Sequence, residues 1–450
     1  MSNKKYDVLI IGGGNAGLGV TVATRAAGMS VAVAEPRELG GTCPNRGCTP
    51  KKVLVAATHA LADIERAGTH CISVGRPTFD WPALIAREKK MIEDIPARLA
   101  RAMADRGVEV LRERAVFAGP NTVKVGERTI EATHIVIATG SKPRPLPIPG
   151  AEHMITSDDV LSEAERPGEV IFVGGGVIAL ELGHVYARAG SKVTVLEALP
   201  QLLPAMDADA VAQVHAVSGH LGIDARTGVK VKKIAPQGAR LRVTFEHAGK
   251  EQTLDADRVV NGAGRVADID QLNLEAAGVT QRNGRIDIDA HLRSTSNKAV
   301  HVCGDAVWNS PQLSPIATYE GRIVGRNIVE GPVAKHDYAS IPSCVYTIPS
   351  LSSVGLTEAK ARETGRPIKV HANDMSGWLS ARTFNEEAAW AKIIVDEESD
   401  RIVGAHIVGH SGEELIHIFA MAMKHGIGAS AVREAVYAFP TCSADIKSML

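Results

Sequence analysis

The sequence predicts an α/β chain built on two copies of one strand–turn–helix–strand unit, and three observations carry that reading. The run Gly12-Gly13-Gly14-Asn15-Ala16-Gly17 follows an apolar strand and opens a helix. Gly174-Gly175-Gly176-Val177-Ile178-Ala179 repeats the arrangement further along. In each copy the second strand ends on an acid 23 positions after the first glycine, Glu35 after Gly12 and Glu197 after Gly174.

Each element has a local reason. Tyr6 to Ile11 is a short apolar run and reads as a buried strand, Leu18 to Ala27 as helix, and Ser30 to Ala34 as the next strand. In the second copy the strands are Glu169 to Val173 and Lys192 to Leu196, with helix from Leu180 to Ala189. In a Gly-x-Gly-x-x-Gly turn the first glycine permits the tight bend, the second lets backbone approach a pyrophosphate, and the third lets helix pack on strand. An acid at the end of the second strand accepts hydrogen bonds from a ribose. Gly12, Gly14, Gly17 and Glu35 thus form one candidate dinucleotide site, and Gly174, Gly176 and Glu197 a second, to which Gly264 is assigned. Tight turns alone leave the paired acids unexplained.

Cys43 and Cys48 stand in Gly40-Gly41-Thr42-Cys43-Pro44-Asn45-Arg46-Gly47-Cys48-Thr49-Pro50-Lys51-Lys52, before an apolar helical stretch from Val53 to Ala57. Thiols at this spacing can close a disulfide and reopen it. A helix N-terminus lowers the pKa of a nearby thiol. The pair follows the first glycine turn directly, so the first site is expected to hold a flavin dinucleotide and the second a nicotinamide. Glu197 repels a 2′-phosphate and no arginine follows it in Ala198 to Leu203, so NADH is expected over NADPH.

Composition excludes several classes. The 450 residues suggest about three domains. Apolar residues make up 45% and charged residues 22%, ordinary for a globular chain, and the net charge of −1 shows no footprint for nucleic acid or an anionic membrane. No apolar run reaches the ~18 residues of a membrane helix. The N-terminus lacks a signal-peptide core, so a cytoplasmic location is expected. Six cysteines are too few for a disulfide scaffold. Cys71, Cys303 and Cys344 are expected to be small buried packing residues. No metal site is expected: His406 and His410 have no evident cysteine or acid partner, and His417 and His425 read as partly exposed structural residues.

Gly40 to Lys52 matches Gly-Gly-Thr-Cys-x-Asn-x-Gly-Cys-x-Pro-x-Lys throughout, and by it the chain resembles the flavoprotein disulfide reductases, the group of dihydrolipoyl dehydrogenase, glutathione reductase and mercuric reductase. Ala138-Thr139-Gly140-Ser141 resembles the segment leaving the flavin domain, and Val302-Cys303-Gly304-Asp305 the second flavin motif. Val345 to Thr347 with Val354 to Glu358 resembles the start of the dimerisation domain. The resemblance implies two Rossmann-like dinucleotide domains and an α+β dimerisation domain. FAD would occupy 1–145 and 271–333, NAD 146–270, and the interface 334–450. It implies FAD contacts at Gly41, Thr42, Lys52, Thr139, Gly140 and Asp305. Cys48 would lie against the flavin and Cys43 would attack substrate, while Lys52, or its neighbour Lys51, would pair with Glu181. A homodimer is implied, with a small-molecule substrate and neither nucleic acid nor membrane as partner. From the residues alone, Lys392 to Val395 and Arg401 to Val408 read as a hairpin, and Glu413 to Lys424 as a helix. Pro143 to Pro149 reads as a crossing between domains.

One departure bears on function. Family members carry His-Pro-Thr-x-x-Glu near the C-terminus, whose histidine moves protons for the exposed thiol across the dimer interface. Here Phe439 and Ala444 fill the places of histidine and glutamate. The expected function is NADH-dependent reduction of a disulfide or a related sulfur or metal electrophile through Cys43 and Cys48. Two other readings stand beside it. One is a C–S cleaving, carboxylating enzyme in which Phe439 excludes protons. The other is a redox-sensing flavoprotein of slow turnover. Cys442, inside the altered motif, reads as a small inert residue, with a third redox thiol or a soft metal ligand as alternatives.

Overall fold

The computed structural model describes residues 4–450. They form two compact units: 4–52, 86–144 and 265–338 in one, and 53–85, 145–264 and 339–450 in the other.

The first unit is built on a seven-stranded sheet. Glu109–Leu111, Val31–Ala34, Lys4–Ile11, Arg128–Ile137 and Val300–Val302 run parallel in that order. Thr122–Val125 and Ala115–Gly119 add antiparallel to the first half of Arg128–Ile137. Val8, Leu9, Ile10, Ile135, Val136 and Ile137 are wholly buried, the near-continuous apolar pattern of a parallel sheet covered on both faces. Helices Asn15–Ala26 and Ser314–Glu330 pack closely on one another. A Cβ on Gly321 would lie 2.1 Å from the Ala16 carbonyl oxygen, so only glycine permits this approach. Both nucleotide-turn helices begin three residues earlier than the sequence suggests, at Asn15 and Val177, because Gly14 and Gly176 are extended and the turn leads straight into the first helical residue.

The second unit holds three sheets. The parallel sheet runs Asp224–Arg226, Lys192–Leu196, Glu169–Val173, Arg258–Asn261. An antiparallel meander follows from Lys230–Gln237, Arg240–His247 and Lys250–Ala256. The third sheet is antiparallel, ordered Ser343–Val345, Ser350–Gly355, Arg401–Gly409, Trp390–Asp396, Ile368–Asp374. The hairpin read from the sequence is its centre, and helix Gly412–His425 covers it with Leu415, Ile416 and Phe419. Val53, Leu54 and Trp81 pack in this unit, the Trp81 ring stacked on Tyr186 at 5.2 Å.

The expected proline-rich crossing opens as a strand: Ser141–Pro143 pairs antiparallel with Arg265–Ala267. Cys71 corrects the sequence reading. Cys303 is buried and Cys344 half-buried, but Cys71 is exposed, closing the turn Ala67–His70 in a left-handed conformation (φ 60°) ahead of a segment without helix or strand.

Candidate redox-active site

The carboxyl ends of three adjacent parallel strands assemble the first site. Gly12 donates to the Ala34 carbonyl at 2.9 Å, Ala138 to that of Ile11 at 2.8 Å, and Cys303 to that of Ile137 at 3.0 Å. The loops Gly12–Gly14, Ala138–Gly140 and Cys303–Asp305 therefore open side by side, where doubly wound sheets bind nucleotides. A Cβ on Gly12 would fall 2.2 Å from the Ala138 carbonyl oxygen, and one on Gly41 (φ 66°) 2.9 Å from the Gly14 Cα. Bare backbone thus lines the turn. The Thr139 hydroxyl is buried there without a partner, a donor awaiting an acceptor, so the residues present fit a bound dinucleotide. Glu35 accepts the N–H groups of Gly13 and Arg37, both at 2.8 Å. Gly17 lies in the first turn of the helix, packed against Ile10, and Gly140 is left-handed (φ 72°).

Asp305 is steered from two sides. Ser141 donates its hydroxyl to Asp305 at 2.8 Å, and Arg265 donates to both the Ser141 hydroxyl and carbonyl oxygens. Burial pushes the Asp305 carboxyl above its usual range. Beneath it, wholly buried Glu320 accepts the Gly304 N–H at 2.7 Å, the Tyr338 hydroxyl at 2.5 Å and the Ser310 hydroxyl, fixing the Asp305 loop.

Cys43 lies in the short helix Thr42–Arg46, with Thr42 exposed at its start. Three further helices begin around its thiol. Cys48 is the first residue of Cys48–Arg66, Asn15 of Asn15–Ala26 and Ser314 of Ser314–Glu330, and all three hydrogen-bond to Cys43. Asn15 and Ser314 are also bonded to each other. Chiefly the Cys48 bond, against burial and aided by Ser314 and Asn15, pulls the Cys43 thiol down to about 6. A thiolate is the nucleophilic form. Cys43 is half-buried and Cys48 exposed.

The second turn copies the first bond for bond. Gly174 donates to the Leu196 carbonyl at 2.9 Å and Gly262 to that of Val173 at 2.8 Å. Glu197 accepts from Gly175 at 2.5 Å and from Leu199 at 2.7 Å. Gly174 and Gly264 are left-handed, and Gly176 caps the helix. Arg226, on the strand beside Glu197, is engaged with Asp224 and Gln252. Glu181 is buried and accepts the Tyr346 N–H at 2.9 Å, while Lys51 is half-buried and Lys52 exposed. Phe439 is 78% exposed. His406 is a core residue between the Ser353 hydroxyl and the Leu356 carbonyl, each at 3.0 Å, and burial pushes the Cys442 thiol up. Among the described residues no three of His, Cys, Asp and Glu gather to hold a metal ion, and no helix is long and apolar enough to cross a membrane.

Residues 6–321 match the family model described as pyridine nucleotide-disulphide oxidoreductase, and 341–450 match that family's dimerisation domain. The chain belongs to this family. The expected fold class and redox chemistry therefore stand: a flavoprotein oxidoreductase, of a family that binds FAD and a pyridine nucleotide. Its relatives include a glutathione reductase of Burkholderia cepacia, 32% identical and covering 94% of each chain. A dihydrolipoyl dehydrogenase of Chlorobaculum parvum is 31% identical, covering 99% of this chain and 96% of its own. Among solved structures, the Cu(II) complex of the HOCl-induced flavoprotein disulfide reductase RclA from Escherichia coli superposes with a TM-score of 0.88 at 28% identity, over 100% of this chain and 99% of that one.

Asn15, Ser314, Ser141, Arg265 and Glu320 escaped the sequence reading. Asn15 sits inside the glycine motif and Ser314 just before a helical Pro315, so both had a local signal. The other three act over distances in sequence that no local pattern encodes.

Proposed function

We propose that this flavoenzyme takes electrons from NADH and passes them through Cys43 and Cys48 to a reducible metal ion, Cu(II) in the first instance. The carrying observation is the Cys43 thiol, held near a pKa of about 6 where three helices begin. Bound at the first glycine turn, FAD would relay two electrons from the nicotinamide to the sulfur pair. In the acceptor step the dithiol closes to a disulfide, loses its protons to solvent and gives one electron to each of two Cu(II) ions. The net reaction converts NADH and two Cu(II) into NAD⁺, a proton and two Cu(I).

Two observations favour a metal over a disulfide. A disulfide substrate leaves a thiolate that must be protonated, and general acid–base help of this kind is typically worth 10²–10⁴ in rate. Phe439 cannot supply it, and a metal ion does not need it. The RclA structure, similar over the whole chain, is a Cu(II) complex. NADH is favoured because Glu197 stands at the end of the second strand, where an acid would bond the ribose, and neighbouring Arg226 is already bound to Asp224. We assign FAD to 1–145 with 271–333, NAD to 146–270 and the subunit interface to 334–450. Lys52 is assigned to Glu181, and a homodimer would cover Val436, 95% exposed, and Phe439.

The test is NADH oxidation by FAD-loaded protein with chelated Cu(II) against glutathione disulfide, Cu(I) being measured with a chromogenic chelator. The expectation is two Cu(I) per NADH, abolished by Cys43→Ser. Faster turnover with the disulfide, or copper reduction that survives Cys43→Ser, overturns the reading.

A further inference from the structure

The second unit contains a small, partly open recess of about 20 Å³ that the chemistry above leaves unused. Met375, Met449, Cys442 and His410 line it together with Glu386 and Asp445. The two carboxylates are already engaged: Glu386 accepts Arg66 at 2.7 Å, and Asp445 accepts the Ser380 hydroxyl. What remains is one thiol and two thioethers, the His410 imidazole facing the Glu386 carboxylate at 3.7 Å. Met375 and Met449 are buried, and the His410 ring is held by stacking on Phe384 at 4.5 Å.

This donor set selects by softness. Calcium, magnesium and manganese need oxygen ligands, and those present are taken. A structural zinc site needs about four nitrogen, sulfur or oxygen donors, which the described residues do not bring together. Thioethers and a thiolate suit Cu(I), and the polarizable, flexible methionine side chain adapts to an ion of low coordination number.

We propose that this recess binds a soft monovalent cation, Cu(I) or its redox-inert counterpart Ag(I), through the sulfurs of Cys442, Met375 and Met449, with His410 beside them. On binding, the Cys442 S–H proton passes to solvent and a sulfur–metal bond forms, with no electron transferred. The inference rests on the proposed function only in that copper reduction would supply the ion.

The experiment separates the two. Full-length, FAD-loaded protein carrying Cys43→Ser, Cys48→Ser and Cys71→Ser is titrated with Ag(I) against a competing chelator. These changes remove the redox pair and the exposed thiol. One chelator-resistant Ag(I) per chain is expected. Adding Cys442→Ser should lower affinity by at least about tenfold, and so should the volume-conserving pair Met375→Leu and Met449→Leu, with FAD content unchanged. Absence of the resistant ion in the triple-serine protein, or affinity untouched by both sets of changes, overturns the proposal. Failure of NADH-driven copper reduction in the wild type would instead strike the proposed function and leave the silver result standing.

Discussion

Glu35 and Glu197 make the same two hydrogen bonds in two different units. Each carboxylate accepts the N–H of the middle glycine of its turn, Gly13 or Gly175, and the N–H two residues beyond itself, Arg37 or Leu199. The bonds lock one rotamer, so the acid is oriented before any ribose arrives and little side-chain entropy is left to lose.

Glu197→Ala should therefore raise the KM for NADH by at least about tenfold, since a hydrogen bond to a charged group is worth about 1.5–3 kcal/mol. Flavin content should stay at the wild-type level. Glu35→Ala should show the converse, losing flavin during purification. Steady-state kinetics and the flavin absorbance of the purified variants check both, and an unchanged NADH KM in Glu197→Ala would remove Glu197 from the nucleotide site.

Much of this was legible in the sequence because it is local. A glycine turn, a capping residue and an acid at fixed spacing report on a few bonds within some two dozen residues. The Cys43 surroundings were half legible: the helix start at Cys48 follows from neighbouring residues, but the arrival of Ser314 depends on helix Ser314–Glu330 packing against Asn15–Ala26. Likewise Arg265, Ser141 and Asp305 are joined only because Ser141–Pro143 pairs with Arg265–Ala267. Cys71 misled because composition says where cysteines usually go, whereas a turn closed at φ 60° decides where this one does.

The acidity of Cys43 gives a prediction in pH. The first proton of the dithiol should leave at about pH 6, so alkylation of reduced protein by iodoacetamide should be nearly flat above pH 7. Below pH 6 it should fall about tenfold per unit as thiolate is lost. Cys48→Ala removes the largest stabilising bond, so the midpoint should climb toward the ordinary thiol value of about 8.5. Peptide mass spectrometry of the Cys43 adduct measures the profile. A wild-type midpoint already near 8.5 would end the account of a thiolate held by converging helix ends.

Phe439→His tests the missing base. Glutathione disulfide reduction should rise at least about tenfold, the lower part of the general acid–base range, with NADH-to-flavin electron transfer unchanged. Stopped-flow reduction and steady-state turnover separate the two steps. A variant no faster on disulfides would show that protons reach the leaving thiolate by another route.

Lys392 offers a prediction about stability. Its ammonium is buried and meets Asp207 at 3.0 Å, Asp209 at 2.6 Å and Glu358 at 2.7 Å. Burial pulls its pKa down, but bonds to the three carboxylates outweigh that and leave it raised. Asp207 is equally buried and caps the helix Ala208–His220. Burial pushes its carboxyl up, yet the Glu358 N–H and Lys392 hold it below the usual range. Lys392→Met strands that charge, and breaking one side of a buried pair costs about 3–5 kcal/mol. A carboxyl whose folded pKa is depressed contributes stability that is present above its unfolded pKa of about 3.9 and lost as pH falls through the folded value. The gap between wild type and Lys392→Met should accordingly be full at pH 7 and shrink below about pH 4, as Asp207 takes up a proton and no longer needs the cation. Urea unfolding at several pH values measures it, and a gap independent of pH would mean that Lys392 contributes packing rather than charge.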